Sequence, residues 1–266
     1  MQFNFTLSII IPTYNSEATL DSCLKSLENQ LWQDFEVLII DGLSSDRTLD
    51  IVATYALKNS NVKVFCENDN GVYDAMNKGL KIASGRFIYF LGSDDQLYSP
   101  TVLHDIFNDD TQADFIYGNV WLNSEHRLYS GESNLAKLLI DQVSICHQAI
   151  FYSRKVFDKL GEFDQKYFIH ADYDLNIKCF EDDELMKKYI PITVCIYNQG
   201  GISNIRSNAD GFHNDITLRH INSTSSIFQL YREYQSVTAE LQQLKNCKIL
   251  KMMNWLFRRL KRNTSL

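Results

Sequence analysis

No CxxC pair and no zinc-type spacing occurs among the six cysteines of this 266-residue chain (Cys23, Cys66, Cys146, Cys179, Cys195 and Cys247). Scattered thiols of this kind exclude a zinc module and read as reduced cysteines of a cytosolic compartment. A basic amino-terminal segment leading into an apolar core is also missing before the first strand, which argues against a secretory signal. No apolar run approaches the ~18–20 residues needed to cross a bilayer. GxGxxG and the P-loop are both absent, so a dinucleotide-binding or NTPase reading has no support. Positive charge is in deficit, with 26 Lys and Arg against 33 Asp and Glu, a net charge of −7 that argues against a nucleic-acid binder. These absences together lead to the expectation of a cytoplasmic protein.

What remains has the composition of a globular protein, 45% hydrophobic and 22% charged, long enough for one large α/β domain with or without an appendage. Leu7 to Ile11 is an apolar run broken only by Ser8 and ending at Pro12-Thr13-Tyr14-Asn15, a buried strand delivered into a loop. Ser16 or Asn15 is placed to cap a helix reaching about Asn29. Phe35 to Ile40 is a second buried strand stopping at Asp41-Gly42, and a further helix runs to about Lys58. Val62 to Cys66 is a third strand, and Gly71 to Gly85 a loop and helix in which Ala75, Gly79 and Ala83 leave one face small enough for close packing. This βαβαβ order, with each strand ending in polar or acidic residues, predicts a parallel sheet carrying a nucleotide-type site along its carboxyl edge.

The most pointed feature is Arg86-Phe87-Ile88-Tyr89-Phe90-Leu91-Gly92-Ser93-Asp94-Asp95, a buried strand breaking into two adjacent carboxylates. Two acids on one turn offer hard oxygen ligands to Mg2+ or Mn2+ shared with substrate phosphates; they equally suit a helix cap or a solvated turn. Later strands are expected at Phe115 to Trp121, Gln148 to Tyr152 and Ile192 to Tyr197, with residues 124–134 as a hairpin or loop. A second acidic group, Ala171-Asp172-Tyr173-Asp174, enters a helix at its first turn, where carboxylates are favoured electrostatically whatever their use. Asn198-Gln199-Gly200-Gly201-Ile202-Ser203 closes the series as a polar loop.

In order along residues 7–205, the motifs Ile10-Ile11-Pro12-Thr13-Tyr14-Asn15, Ile40-Asp41-Gly42, Asp69-Asn70-Gly71-Val72-Tyr73-Asp74-Ala75-Met76-Asn77-Lys78-Gly79, Gly85-Arg86, Ser93-Asp94-Asp95, Gly161-Glu162-Phe163-Asp164, Ala171-Asp172-Tyr173-Asp174 and Gly200-Gly201-Ile202-Ser203 resemble bacterial glycosyltransferases of family 2. That resemblance implies the GT-A fold, a Rossmann-like, mostly parallel sheet flanked by helices. Within the family the Gly71–Gly79 helix is similar to members that build capsule, O-antigen or exopolysaccharide units. By resemblance, Pro12, Tyr14 and Asn15 lie at the nucleotide pocket, Asp41 reaches the base, and Asp69 is close to it. Arg86 pairs with a phosphate or a neighbouring acid, and Asp94 faces the ribose or the metal. Asp95 is the main ligand to Mn2+ or Mg2+, and Asp172 is the base that deprotonates the acceptor hydroxyl. The chain departs from many relatives in having Ala171, where they carry Glu, before Asp172. His170 either contacts a phosphate or the acceptor, or is structural.

The implied activity is inverting transfer from a nucleotide sugar, UDP-linked by preference, to a polyprenyl-diphosphate-linked or glycan acceptor. The alternative is a non-catalytic nucleotide-sugar-binding or assembly subunit. A nucleotidyltransferase lacks support because no glycine-rich basic loop stands near the amino terminus. Residues 1–205 form the expected catalytic domain and 206–266 a helical extension. Within 245–262, seven basic residues and no acid accompany Ile249, Met252, Met253, Leu256 and Leu260 at helical spacing. Such a helix suits an anionic membrane surface, which would place the protein peripherally on the cytoplasmic face of the inner membrane; docking on the domain or on another subunit is the other reading.

Overall fold

The run Leu7 to Ile11 becomes the middle of strand β1 (Phe5–Thr13), and its position accounts for its composition. β1 lies between β2 (Phe35–Asp41) and β4 (Gly85–Phe90) and is parallel to both. Leu7, Ile9, Ile10 and Ile11 are completely buried, as residues of a strand covered on both faces must be. β3 (Val62–Cys66) pairs with β2 and forms one edge. The computed structural model describes residues 3–108, 111–198 and 209–221, together with 233, 234, 236 and 237.

Beyond β4 the strand directions become mixed. β8 (Ile150–Ser153) runs antiparallel to β4 and to β6 (Phe115–Leu122). β6 pairs in parallel with β9 (Lys187–Tyr197), while the short β5 (Gln96–Leu97) and β7 (Arg127–Tyr129) pair antiparallel with β9 and β6. The strand order is β3-β2-β1-β4-β8-β6-β9-β5, with β7 beside β6. Strands β1 to β4, β6 and β9 therefore point one way and β5, β7 and β8 point back. This is the mostly parallel sheet flanked by helices that a GT-A fold requires.

Helices α1 (Leu20–Glu28), α2 (Thr48–Ala56) and α4 (Val102–Phe107) belong to one layer, where Leu24, Leu27, Val52 and Phe107 join Leu7, Ile9 and Ile11 of β1 in one buried cluster. Across the sheet lie α3 (Val72–Ile82), α5 (Arg154–Leu160) and α6 (Ala171–Glu181). Phe90 on that face meets Phe157 and Phe163 edge-on at 6.0 and 5.0 Å between ring centroids. Helix α6 is buried almost all round, with Tyr173, Leu175, Ile177 and Cys179 inside, rather than amphipathic as its sequence suggests. Asp174, also buried, is held by Lys178 at 2.6 Å.

The helix expected to begin at Asn15 or Ser16 begins instead at Leu20. Both side chains are engaged elsewhere: Asn15 Oδ1 accepts from Ser45 N at 2.9 Å, and Ser16 Oγ lies 2.8 Å from Ser93 Oγ. The chain divides into two units, Met1–Phe212 and His213–Leu266. Helix α7 (Phe212–Ile221) begins at their boundary. Gly200 to Ser203 of the expected polar loop, and the basic tail 245–262, lie outside the described residues.

The small face of α3 has a measurable consequence. A Cβ at Gly79 would stand 2.5 Å from Ile10 Cγ2 and 3.2 Å from Ile40 Cγ1. Gly79→Ala is expected to destabilise the fold by about 1–3 kcal/mol through overpacking, read as a lower denaturant midpoint with unchanged slope. A midpoint at or above that of the unsubstituted protein would contradict this packing.

Candidate active site

Strand direction decides which residues meet. At the edge where β1, β2 and β4 end stand Tyr14, Gly42 and the turn Gly92 to Asp95, and β9 ends there at Tyr197. Because β8 runs the opposite way, its beginning lies at this edge, preceded by the three-residue 3-10 helix His147–Ala149. Helix α6 starts close by at Ala171.

The carboxylates of Asp94 and Asp95 are not equivalent. Asp95 is fully buried: its Oδ2 accepts from Gln148 Nε2 at 2.9 Å and its Oδ1 from Asn198 N at 2.8 Å. Asn198 Nδ2 also donates to the Asp94 carbonyl. Burial, then repulsion from Asp94, pushes the Asp95 carboxyl up to about 7 against the bonds from Asn198 and Gln148. Asp94 is partly exposed and shifted upward as well, chiefly by burial. A Cβ at Gly92 would come within 2.5 Å of Asp95 Oδ2 and 2.9 Å of Asp94 Oδ1, so the turn closes over both acids only where no side chain intervenes. Asp95 accepts one protein donor on each oxygen, and Asp94 beside it is the more exposed of the two. Among the described residues no group of three or more His, Cys, Asp or Glu side chains forms a metal cage. An acid pair of this kind fits a hard dication whose remaining ligands come from phosphate and water.

The second centre forms around Asp172. Its Oδ1 accepts from Tyr73 Oη at 2.7 Å and from Tyr173 N at 2.9 Å, and its Oδ2 lies 3.1 Å from His147 Nδ1. Burial alone would raise this carboxyl, but the bond and charge from His147, with the bonds from Tyr73 and Tyr173 N, hold it below the ordinary aspartate range. Helix α3 supports the arrangement from below. Asn77, one turn beyond Tyr73, exchanges two bonds with Phe163, Nδ2 to O at 2.9 Å and N to Oδ1 at 3.0 Å. Tyr73 therefore does more than cap or pack its helix. His170 turns its Nδ1 onto Asp210 at 3.0 Å and stacks on Phe212, a structural use. Sequence reasoning missed His147 and Gln148, because only the reversed direction of β8 brings a strand's beginning to this edge.

At the β1 end, Tyr14 is 66% exposed, and it flanks Gly42 together with Asp69. Pro12 and Asn15 stand beside them, Asn15 bridging to the β2–α2 loop through Ser44 and Ser45. Asp41 closes the end of β2. It still pairs within the sheet, is fully buried, and accepts from Thr13 Oγ1, Ser44 N and Ser44 Oγ at 2.9, 2.8 and 2.6 Å. Asp69, partly exposed and bonded to Gly71 N, is the acid left at this surface. Arg86 is not brought to the site: it sits at the start of β4, at the opposite edge, and donates to Thr111 O at 2.7 Å.

An exposed ledge at Tyr14, an acid pair and a hydrogen-bonded carboxylate on one edge of a mostly parallel sheet agree with a group-transfer enzyme of the GT-A class. The family model for Glycosyl transferase family 2 matches residues 8–161. A PGL/p-HBAD biosynthesis glycosyltransferase of Mycobacterium bovis (strain BCG / Pasteur 1173P2) is 40% identical over 202 residues, covering 74% of this chain and 78% of the relative. The GalNAc(5)-diNAcBac-PP-undecaprenol beta-1,3-glucosyltransferase of Campylobacter jejuni is 26% identical over 243 residues, 87% of this chain and 67% of the relative. Among solved structures, S. aureus TarS 1-349 in complex with UDP shares the fold with a TM-score of 0.67 and 22% identity over 85% of this chain and 70% of that one. The chain belongs to glycosyltransferase family 2 and is a bacterial-type glycosyltransferase.

The acid pair should be visible in stability. A carboxyl raised to about 7 keeps its proton in the folded protein between about pH 4 and pH 7, where the unfolded chain has lost it, so its contribution declines as pH rises through that window. Without metal, Asp95→Asn is expected to gain melting temperature relative to the unsubstituted protein between about pH 5 and pH 8, by several degrees. A difference that stays constant across that range would remove the assignment.

Proposed function

We propose that this chain moves a sugar from a nucleotide sugar, UDP-linked by preference, to a hydroxyl of a lipid-linked or glycan acceptor in surface-polysaccharide assembly, inverting the anomeric carbon. One observation carries the reading. Adjacent residues, His147 and Gln148, reach Asp172 and Asp95 respectively, so a donor-side acid and a base-side acid share one short helix. The UDP held by TarS and the PP-undecaprenol in the name of the Campylobacter relative support the donor and acceptor classes.

On this reading the base of the nucleotide lies against Tyr14 and Asp69, with Pro12 and Asn15 shaping the ledge. Asp95, the expected main ligand, and Asp94 beside it would together hold Mn2+ or Mg2+. Such a cation, when bound, neutralises charge on the departing diphosphate. Asp172 takes the proton as the acceptor oxygen attacks the anomeric carbon, and the pair of the breaking bond leaves on the diphosphate. Its lowered pKa keeps it ionised and ready at neutral pH. A cleft of about 310 Å3 of mixed lining, with Tyr129, Ser133, Lys137 and Ser144 among its polar residues, reaches Ile145, two residues before His147, and suits part of a hydroxylated acceptor. The basic tail 245–262 would bring the enzyme to an anionic membrane surface where a lipid-linked acceptor resides.

Nucleotide release from a panel of UDP-, GDP- and dTDP-sugars with Mn2+ tests the reading. Asp172→Asn should lower turnover by about 10²–10⁴-fold with UDP affinity kept. Asp94→Asn should remove the Mn2+-dependent part of UDP binding. Full turnover in Asp172→Asn, or Mn2+-dependent UDP binding intact in Asp94→Asn, would sink the corresponding role. For the tail, deletion of residues 245–266 should abolish flotation with vesicles containing anionic lipid, and unchanged flotation would defeat membrane attachment.

A further inference from the structure

His147 has no assigned part in the family resemblance, yet it makes the one side-chain contact to Asp172 Oδ2 among the described residues. An ionised carboxylate offers roughly four lone-pair sites, two on each oxygen. On Asp172 Oδ1 both are taken, by Tyr73 Oη and Tyr173 N. On Oδ2 one faces His147 Nδ1. Since an ionised carboxylate only accepts, the imidazole presents its N–H from Nδ1, and a single site on Oδ2 remains for an incoming proton. His147 and Asp172 keep only 20% and 15% of their side chains exposed, so few other orientations are open to either group.

We propose that His147 is a positioning residue for the transfer reaction, aiming Asp172 so that Oδ2 receives the acceptor proton. The inference rests on Asp172 being the base. The acceptor O–H bond breaks toward Oδ2 while the oxygen forms its bond to the anomeric carbon and the sugar–diphosphate bond breaks. Asp172 becomes a neutral acid and His147 is unchanged in charge. The imidazole is itself fixed by its neighbour. Gln148, next on the same 3-10 helix, is anchored to buried Asp95, and the strand that follows is laddered to β4. His147 thus measures off the base from the same turn that carries the donor-side acids. With Ala171 standing where many relatives carry Glu, an orienting group from another element has a clear place in this chain.

The test uses three substitutions that differ in where they present an N–H. His147→Asn keeps an amide nitrogen at the branch position of Nδ1, His147→Gln carries it about one bond further, near the place of Nε2, and His147→Ala removes it. Turnover of the nucleotide sugar selected from the panel, with water or acceptor taking the sugar, is measured beside the affinity for UDP with Mn2+. We expect His147→Ala to lose about 10- to 100-fold in kcat, with UDP affinity within about twofold. His147→Asn should recover most of the loss and His147→Gln little of it. His147→Ala combined with Asp172→Asn should be no slower than Asp172→Asn alone. Unaltered turnover in His147→Ala, rescue by Gln in preference to Asn, or a parallel fall in UDP affinity would overturn the proposal. Turnover surviving in Asp172→Asn would take down the base assignment and this proposal together. Turnover lost there but intact in His147→Ala takes down this proposal alone.

Discussion

An acidic group placed where water cannot reach it governs the design of this molecule. Asp95 has no solvent contact, and its neighbour Asp94 adds repulsion at close range. Holding such a pair is unfavourable unless donors are fixed around it, and the donors come from distant parts of the chain: the amide of Gln148 and the backbone of Asn198. Those contacts join the start of β8 and the end of β9 to the turn after β4. The central strands of the sheet thus converge on one electrostatic problem.

Asp172 is the opposite case. Burial raises the Asp95 carboxyl, whereas three donors lower the Asp172 carboxyl despite comparable seclusion. Two aspartates on one edge are driven apart in basicity by their partners, the usual sign of divided chemical labour. His147 supplies the largest part of the difference, and helix α3 adds to it through Tyr73, while Asn77 of the same helix secures the chain at Phe163.

The strands of the parallel half were legible because burial on both faces demands apolar runs, and Phe87 to Leu91, Leu7 to Ile11 with only Ser8 between, and Phe35 to Ile40 with only Glu36 between have that form. Gly79 on its small helix face was legible for the same reason, as a steric requirement written in residue size. The acid motifs stood out through their position at strand ends. Direction was less accessible: nothing in Gln148 to Tyr152 announces an antiparallel strand, and with that hidden the His147–Gln148 pair stayed hidden too. Asp41 and Asp95 illustrate a second limit. Residue type and spacing place a carboxylate at an edge, but only packing shows which donors its oxygens accept from, Thr13 and Ser44 for Asp41, Gln148 and Asn198 for Asp95.

The ladder between β4 and β8, registering Phe87 with Ser153, Ile88 with Tyr152 and Tyr89 with Phe151, sets the turn bearing Asp94 and the helix bearing His147 side by side at one end of a single plate. A plate does not open like a jaw. The spacing between the two aspartate centres is therefore inherited from strand pairing, and loops around them vary without altering it.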